Sequence, residues 1–192
     1  ARILAELHSH SIHSDGVYSP AELARRVADA GVAVWSLTDH DTCAGCAVAA
    51  ESAQELAIHF IPGIEMSAYH GRSIHILGYG VEPSSRAIDE YAERRLRLRL
   101  TRMETMVERL VDLGIQISMD DVRAAARDAD AFVRPHLAQA LVTIGASDSI
   151  QGAFDEFLHD DGPVAVESTW PEVPEAIRII HDAGGVAVAA HP

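Results

Sequence analysis

Short apolar stretches typical of strands alternate with helix-like stretches at both ends of this chain. The strand-like stretches cover residues 2–10, 33–37, 58–64, 73–79, 164–166 and 186–190, and the last of them is predicted to be a buried strand. Two of the intervening helices are predicted to begin at capping boxes, one from Ser19 to Glu22 and one from Thr169 to Glu172. This alternation predicts an α/β fold of βαβ units around a parallel sheet or barrel, in which the chemistry lies at the carboxyl ends of the strands.

The middle of the chain contains helix-like stretches alone. Helices are predicted over residues 85–113, 120–129, 135–144 and 150–158. On the first of them Arg95, Arg99 and Arg102 share a face, which we interpret as solvated and paired with nearby glutamates; phosphate or RNA binding is the alternative. The predicted domains are a barrel over residues 1–82, a helical insertion or cap over 83–161, and the continued barrel over 162–192.

A His-x-His pair stands at the end of the first strand-like stretch. If residues 2–10 form a strand, the rings of His8 and His10 project from one face, where they can chelate a divalent cation. Asp15 follows in a turn marked by Gly16, within reach of the same cation or of a second one. The alternative for the pair alone is a polar loop with solvated histidines.

Other ligand-type residues end or occupy the later strand-like stretches. They are His40, Glu65, His75 and His191. Taken singly, His75 could be a core histidine, Glu65 a surface carboxylate and the neighbouring Asp39 a helix cap. Because each of these stretches ends in or holds such a residue, the joint pattern predicts a metal cluster, and its imidazole and carboxylate donors suit Mn, Fe or Zn.

Composition restricts the classes of function. The formal net charge is −14 and every one of the 15 Lys+Arg positions is arginine, which argues against a broad nucleic-acid-binding surface. The many carboxylates and 11 histidines suit bound divalent cations instead. The longest apolar runs fall far short of the roughly 18 residues of a membrane-spanning helix, so no membrane association is predicted.

The only two cysteines are Cys43 and Cys46. Two cysteines provide no disulfide framework, so a reducing cytoplasm is the expected location. Their C-x-x-C spacing matches a redox or half-zinc motif, but no second ligand pair accompanies it. We interpret the spacing as a coincidence, with a local redox role left open.

The sequence Arg134-Pro135-His136 stands at a predicted helix start. There a guanidinium that can bind phosphate in a bidentate manner is combined with an imidazole and with backbone N–H groups that favour anions. Without the other motifs, Arg134 would be interpreted as an ordinary surface residue.

These motifs together resemble those of the PHP (polymerase and histidinol phosphatase) superfamily of metal-dependent phosphoesterases. The resemblance rests on His8-Ser9-His10, Asp15-Gly16, Thr38-Asp39-His40-Asp41, Gly63-Ile64-Glu65, His75 and Ala190-His191-Pro192. The helical insertion with Arg134-Pro135-His136 is similar to the subgroup that acts on nucleotides and short RNA. The resemblance implies a distorted (β/α)7-type PHP barrel with a helical insertion.

The resemblance also implies a cluster of two or three divalent metal ions, with Mn favoured. His8, His10 and Glu65 would hold one metal, and Glu65 would bridge to a second held by His75 and His191. Asp15 and His40 would serve a third. Arg134 and His136 resemble residues that hold the substrate phosphate.

The implied reaction is hydrolysis of nucleotide phosphate esters by metal-activated water, without a covalent nucleophile. The expected substrates are nucleoside 3′,5′-bisphosphates, 5′-phosphorylated nucleotides or short RNA. Two alternatives stay open: an amidohydrolase-like metal hydrolase, which also uses His-x-His on a barrel strand, and a metal-braced PHP module without catalysis.

The family pattern includes an Asp-x-His pair beyond the His-Pro strand end, and this sequence has none. Six strand-like stretches are present where the resemblance implies seven. We therefore expect the chain to be part of a longer polypeptide whose remaining residues supply that pair. In isolation, residues 1–192 should retain the metal of Glu65, His75 and His191 better than the other two.

Overall fold

The computed structural model of the protein describes residues 4–127 and 132–191. Contacts divide the chain into two units: Ala1–Glu93 with Trp170–Pro192, and Arg94–Thr169. The division predicted at residues 82/83 and 161/162 stays a prediction. Among the residues described, no helix is both long and apolar enough to cross a membrane.

Over the residues that the structure describes, the first unit is built on a five-stranded sheet. Its strands are β1 (Ala5–Glu6), β2 (Val34–Leu37), β3 (His59–Tyr69), β4 (Ser73–Tyr79) and β5 (Val186–Ala189), in the spatial order β1-β2-β3-β4-β5. The first three are parallel, and β4 runs antiparallel to both β3 and β5. The sheet is curled like half of a barrel.

The β3–β4 connection differs from the predicted βαβ pattern. Seven pairs from Gly63–Tyr79 to Tyr69–Ser73 join the two strands as a hairpin. Only residues 70–72 connect them, and Gly71 takes a φ of +68° in the turn. A parallel crossover needs a dozen residues or more, so a three-residue connection can only reverse the chain. The prediction of an all-parallel sheet is therefore wrong at β4.

Three further strand predictions need correction. Within the described part of residues 2–10, the strand covers only Ala5–Glu6, because the Glu6 side chain accepts the N–H of His8 at 3.0 Å in place of a sheet partner. Residues 164–166 form no strand. The β5 strand was predicted to be buried, yet its Val186 is 64% exposed.

The helices lie close to the predicted ranges. They are α1 (Pro20–Asp29), α2 (Cys46–Glu55), α3 (Arg86–Asp112), α4 (Met119–Ala126), α5 (Arg134–Thr143), α6 (Ile150–Ala153) continued by a π-helical turn (Phe154–Leu158), and α7 (Val173–Asp182). The capping box of Ser19 and Glu22 is confirmed. The one predicted from Thr169 to Glu172 is wrong, since Glu172 itself is the N-cap of α7 and its side chain makes no capping bond. The predicted end of the α4 helix, residues 128–129, lies outside the described residues.

Two clusters of buried apolar side chains hold the first unit together. One packs α1 and α2 on β2 around Trp35 and Leu37, both with no exposed surface. The other packs α7 and α2 against β3 and β4 around Ile64, Met66 and Ile180. The sheet residues that carry ligand-type side chains are thus anchored from behind.

In the second unit, the arginines of α3 bind the backbone of residues 165–169. Arg95 donates to the Thr169 carbonyl, Arg102 to that of Val166 at 2.7 Å, and Arg109 to that of Ala165. Arg95 is only 4% exposed, so its prediction as part of a solvated face is wrong. These side-chain bonds also occupy carbonyls that the strand predicted at 164–166 would have used.

Candidate metal centre

The centre of the site is Glu65, a carboxylate in the middle of β3 that is only 1% exposed. Five imidazoles surround its two oxygens: those of His8, His10, His40, His75 and His191. All five, and Glu65, belong to the first unit. The structure therefore brings together the ligand-type residues that the sequence scatters over most of the chain.

One oxygen of Glu65 faces the histidines from the amino-terminal part of the chain. Its Oε2 atom lies 2.8 Å from Nε2 of His8, 3.1 Å from Nε2 of His10 and 3.6 Å from Nδ1 of His40. The rings of His8 and His10 are 5.1 Å apart. The His-x-His pair thus points at one acceptor, as expected for chelation, although β1 itself ends before it.

The other oxygen faces the histidines of β4 and of the end of β5. Oε1 lies 3.0 Å from Nδ1 of His75 and 3.3 Å from Nε2 of His191. Because β4 is antiparallel, its amino-terminal half lies beside the part of β3 that follows Glu65, and His75 pairs with Ser67. The Ala190 N–H bonds to the His75 carbonyl at 3.0 Å and fixes the chain just before His191. One carboxylate therefore separates two groups of imidazoles.

A third group of donors forms around Asp15. Its carboxylate lies 3.4 Å from Nδ1 of His10 and 3.7 Å from Nε2 of His40, and it is 69% exposed. His10 and His40 therefore each turn one ring nitrogen towards Glu65 and the other towards Asp15. Sharing of His10 between the two groups was not anticipated from the sequence.

The loop that carries Asp15 is held by Asp39, a residue that sequence reasoning treated only as a possible helix cap. The Asp39 carboxylate is 1% exposed and accepts from the Ser11 N–H at 2.6 Å, the Ser11 hydroxyl at 2.7 Å and the Ser14 hydroxyl at 2.7 Å. Gly16 closes this loop tightly, since a Cβ on it would meet the His10 carbonyl oxygen at 2.1 Å. Asp39 therefore positions the loop.

Asp41 plays the corresponding part on the other side of His40. Its backbone N–H bonds to the Glu65 carbonyl at 2.9 Å, and its carboxylate accepts the Ser67 N–H at 3.0 Å and the Tyr91 hydroxyl. The only sequence signal for this role is that two carboxylates flank His40 directly after an apolar strand. That signal does not distinguish a buried carboxylate that joins two segments from an exposed one that caps a helix.

The electrostatics of the cluster follow from this crowding. Burial alone would raise the pKa of Glu65, but hydrogen bonds from His10 and His8 lower it well below its ordinary value. Burial lowers the pKa of His40, which keeps that ring neutral. The hydrogen bond to Glu65 raises the pKa of His10 above 6.5.

The donors fit a divalent cation. Three groups have one donor atom per residue within 4.8 Å of one another: His8, His10 and Glu65; His10, Asp15 and His40; and His40, Glu65 and His75. The buried Nδ1 of the neutral His40 has no hydrogen-bond partner among the described residues. An unused imidazole lone pair is what a borderline metal requires. His191 stands outside these groups and is 63% exposed.

The two residues predicted to hold substrate phosphate lie in the second unit at the start of α5, as the sequence indicated. The Arg134 guanidinium donates to the Leu158 carbonyl at 3.0 Å and to the Asp160 carboxylate at 2.7 Å. Burial lowers the pKa of His136, which favours its neutral form. Their role in substrate binding stays a prediction.

A model of the PHP domain matches residues 6–186. The chain belongs to the PHP family. Its relatives include a 5′-3′ exoribonuclease of Haemophilus influenzae, 38% identical over 188 residues that cover 97% of this chain and 68% of the relative. A 3′,5′-nucleoside bisphosphate phosphatase of Chromobacterium violaceum is 35% identical over 188 residues, covering 97% of this chain and 66% of the relative.

Two solved structures superpose on almost the whole of this chain. A protein of Bifidobacterium adolescentis assigned as a metal-dependent phosphoesterase superposes with a TM-score of 0.78 at 30% identity, over 100% of this chain and 68% of its own. An amidohydrolase of Chromobacterium violaceum with bound sulfate superposes with a TM-score of 0.76 at 34% identity, over 98% of this chain and 66% of its own. The chain thus spans about two thirds of the length of the relatives it matches.

These relatives confirm three predictions: the family, the distorted α/β barrel, and the class of enzyme, a hydrolase of phosphate esters. The metal-dependent neighbour and the histidine–glutamate cluster also indicate that this PHP chain binds metal.

Proposed function

We propose that this chain is the metal-binding part of a hydrolase that cleaves phosphate esters of nucleotides, either nucleoside 3′,5′-bisphosphates or 5′-phosphorylated nucleotides and short RNA. The observation that carries the proposal is the division of the imidazoles between the two oxygens of one buried carboxylate, Glu65. Relatives named for nucleoside bisphosphate and for RNA support the substrate class. Manganese and a cytoplasmic location belong to the same proposal.

This proposal keeps the three cations that the family resemblance implies, and it adds His191 to the donors around Oε1 of Glu65. His8, His10 and Glu65 would hold the first, Glu65 with His75 and His191 the second, and Asp15 with His40 the third. When bound, the cations provide an oxygen nucleophile near neutral pH and offset negative charge on the phosphoryl oxygens. His10 and His40 each turn one ring nitrogen towards Glu65 and the other towards Asp15, so either ring can contribute to the position beside Glu65 or to the third position.

The protein's own residues keep this arrangement ready. Glu65 is fixed by β3 and ionised, because the surrounding imidazoles lower its pKa. Asp39 and Asp41 hold the two segments next to it, so that the donors lose little conformational entropy when a cation binds. The high exposure of Asp15 and His191 leaves the cluster accessible to a phosphorylated substrate.

The first test measures metals and substrates together in the full protein that contains this chain. After chelation and reloading, we expect Mn²⁺ to restore release of phosphate from a nucleoside 3′,5′-bisphosphate or cleavage of a 5′-phosphorylated oligoribonucleotide. The same oligoribonucleotide with a 5′-hydroxyl serves as the control for phosphate recognition. Reloaded protein that cleaves none of these phosphate esters would contradict the proposal.

The second test concerns Arg134. If it binds substrate phosphate, Arg134→Ala should lower kcat/KM about 10- to 100-fold, because a charge-assisted hydrogen bond contributes roughly 1.5–3 kcal/mol. Asp160→Ala is the matched control, since it breaks the same ion pair but leaves the guanidinium in place. Equal losses in both variants would assign Arg134 a structural role only.

An amidohydrolase is the second candidate, because one structural neighbour is described as an amidohydrolase. The same reloaded protein should then hydrolyse amide or deamination substrates and leave phosphate esters intact. A metal-braced module without catalysis would bind the cations and cleave neither class. The phosphate-suited Arg134 favours the phosphoesterase.

A further inference from the structure

The two cysteines lie together at the start of α2, next to the metal centre but outside its donor groups. Both are buried, Cys43 with 8% and Cys46 with 3% of its surface exposed. Their Sγ atoms donate to the same acceptor, the Gly63 carbonyl, at 3.6 and 3.5 Å. The sulfurs therefore converge on one point of β3, and the two cysteines whose C-x-x-C spacing left a redox role open also lie together in space.

The backbone between them has the geometry of a closed turn. The Cys46 N–H bonds to the Cys43 carbonyl at 3.0 Å. A four-residue turn of this kind keeps its end Cα atoms within about 7 Å, and a disulfide spans about 4.4–6.8 Å between Cα atoms. A covalent bond between the sulfurs thus needs side-chain rotation and little movement of the backbone.

We propose that Cys43 and Cys46 are a modification site: hydrogen peroxide oxidises them to an intramolecular disulfide that thiols reduce again. This proposal goes beyond the proposed hydrolysis and does not depend on it. The convergence of two sulfurs on one carbonyl carries it.

The two thiols are suited to different steps. Cys46 is the first residue of α2, where backbone N–H groups favour a thiolate. When the Cys43 thiol turns its single proton from the Gly63 carbonyl to the Cys46 sulfur, that hydrogen bond lowers the pKa of Cys46. The same hydrogen bond and burial raise the pKa of Cys43. Cys46 is therefore the attacking sulfur, and Cys43 retains its proton until the second step.

The reaction balances with one peroxide. The Cys46 thiolate attacks one peroxide oxygen, the O–O bond breaks, and hydroxide leaves and takes up the displaced thiol proton to become water. The sulfur of Cys43 then attacks that of the Cys46 sulfenic acid, the S–O bond breaks, and a second water leaves with the Cys43 proton. The two thiols lose two electrons together, and the peroxide oxygens gain them.

The disulfide removes both S–H donors from the Gly63 carbonyl, which precedes Glu65 by two residues in β3. This part of the sheet has little space to adjust, since a Cβ on Gly63 would meet the Ser36 hydroxyl at 2.4 Å. Outer partners of a metal site commonly change its affinity 10- to 100-fold, and because S–H groups are weak donors we expect oxidation to weaken Mn²⁺ binding by only roughly threefold. This consequence alone rests on the proposed metal centre.

The test is oxidation of the reduced, chelator-treated protein with a few equivalents of hydrogen peroxide. We expect the intact mass to fall by two hydrogen atoms, both thiols to become unreactive to maleimide after denaturation, and dithiothreitol to reverse both changes. The single variants Cys43→Ser and Cys46→Ser should not lose this mass. In Cys43→Ser the remaining Cys46 should instead gain one oxygen atom, which dimedone captures.

The wild-type mass decides the proposal even if a variant fails to fold. Two maleimide-reactive thiols after peroxide treatment, or oxygen addition without loss of hydrogen, would overturn it. Calorimetric titration of the oxidised and reduced forms with Mn²⁺ then tests the effect on the metal centre. An unchanged dissociation constant would refute that effect and leave the disulfide itself established by mass, so neither result depends on hydrolytic activity.

Discussion

Replacing Asp39 by alanine should release the loop that carries Asp15. The variant removes a carboxylate that accepts three hydrogen bonds of 2.6–2.7 Å, two from Ser11 and one from Ser14. A hydrogen bond to a charged group contributes roughly 1.5–3 kcal/mol, but bonds that share one acceptor are not additive. Because Ser11 has no exposed surface, its N–H and hydroxyl would lose their partner while still buried. We expect a loss of about 3–5 kcal/mol in the free energy of unfolding.

The assay is urea unfolding of chelator-treated protein followed by tryptophan fluorescence. Both tryptophans, Trp35 and Trp170, belong to the first unit, so the signal reports the part of the chain that contains Asp39. With a slope of about 2 kcal/mol per molar urea, the midpoint should fall by roughly 2 M. Asp29→Ala, at an exposed aspartate in α1, is the matched control and should change the free energy of unfolding by less than about 0.5 kcal/mol.

A second variant separates the charge of Asp39 from its shape. Asp39→Asn keeps the size of the side chain but offers an NH₂ group to at least one donor from Ser11 or Ser14, so we expect an intermediate loss of stability. A change below about 1 kcal/mol in Asp39→Ala, with the same slope as the wild type, would refute the reasoning that this carboxylate holds the loop.

Three further predictions concern the neighbourhood of the cluster. Glu65→Gln should weaken Mn²⁺ binding, measured by calorimetry, by more than about 100-fold. Binding with wild-type affinity would contradict the role of Glu65 as a metal ligand. Gly63→Ala should cost about 2–3 kcal/mol in urea unfolding, because its Cβ would lie 2.4 Å from the Ser36 hydroxyl and 2.9 Å from the Leu37 carbonyl oxygen; a neutral effect would show that the strands separate easily. In metal-free protein the raised pKa of His10 adds stability to the folded state, which is fully present below pH 6.5 and is lost as the pH rises through the folded-state pKa. Metal affinity should instead increase over the same pH range. NMR titration and calorimetry at several pH values measure the two trends, and stability and affinity that change in the same direction would contradict the role of His10 as a metal ligand.

Residue types at strand ends were sufficient to predict which side chains gather around Glu65. Apolar runs followed by histidine or carboxylate located His40 and His191, because the carboxyl ends of strands that run in the same direction meet at one edge of a sheet. His75 was predicted as a ligand because of its residue type. The predicted topology did not contribute, since β4 runs opposite to the predicted direction. A hairpin and a crossover both require an apolar run, and only the short connection at residues 70–72 distinguishes them.

The remaining differences come from side chains that bind the backbone. The strand predicted at residues 164–166 has an apolar pattern, but Arg102 and Arg109 occupy its carbonyls from α3. Spacing on a helix indicates which residues share a face and does not indicate whether that face meets solvent or another segment. The role of Asp39 was missed for a related reason. Its hydrogen-bond partners lie 25 and 28 residues earlier in the chain, and local sequence does not indicate which distant segment a side chain contacts.

The reversal at β4 also determines how far along the chain the partners of Glu65 are found. His75 lies 10 residues from it, whereas His191 lies 126 residues away. Loop-closure entropy grows as about 1.5 RT times the logarithm of the separation, so joining Glu65 to His191 costs roughly 2 kcal/mol more than joining it to His75. The hairpin thus places His75 beside Oε1 of Glu65 at low entropic cost. The second partner, His191, follows β5, an edge strand whose Val186 is exposed. Local opening should accordingly begin at β5, and amide exchange at Ala190 should be faster than in the β3–β4 ladder.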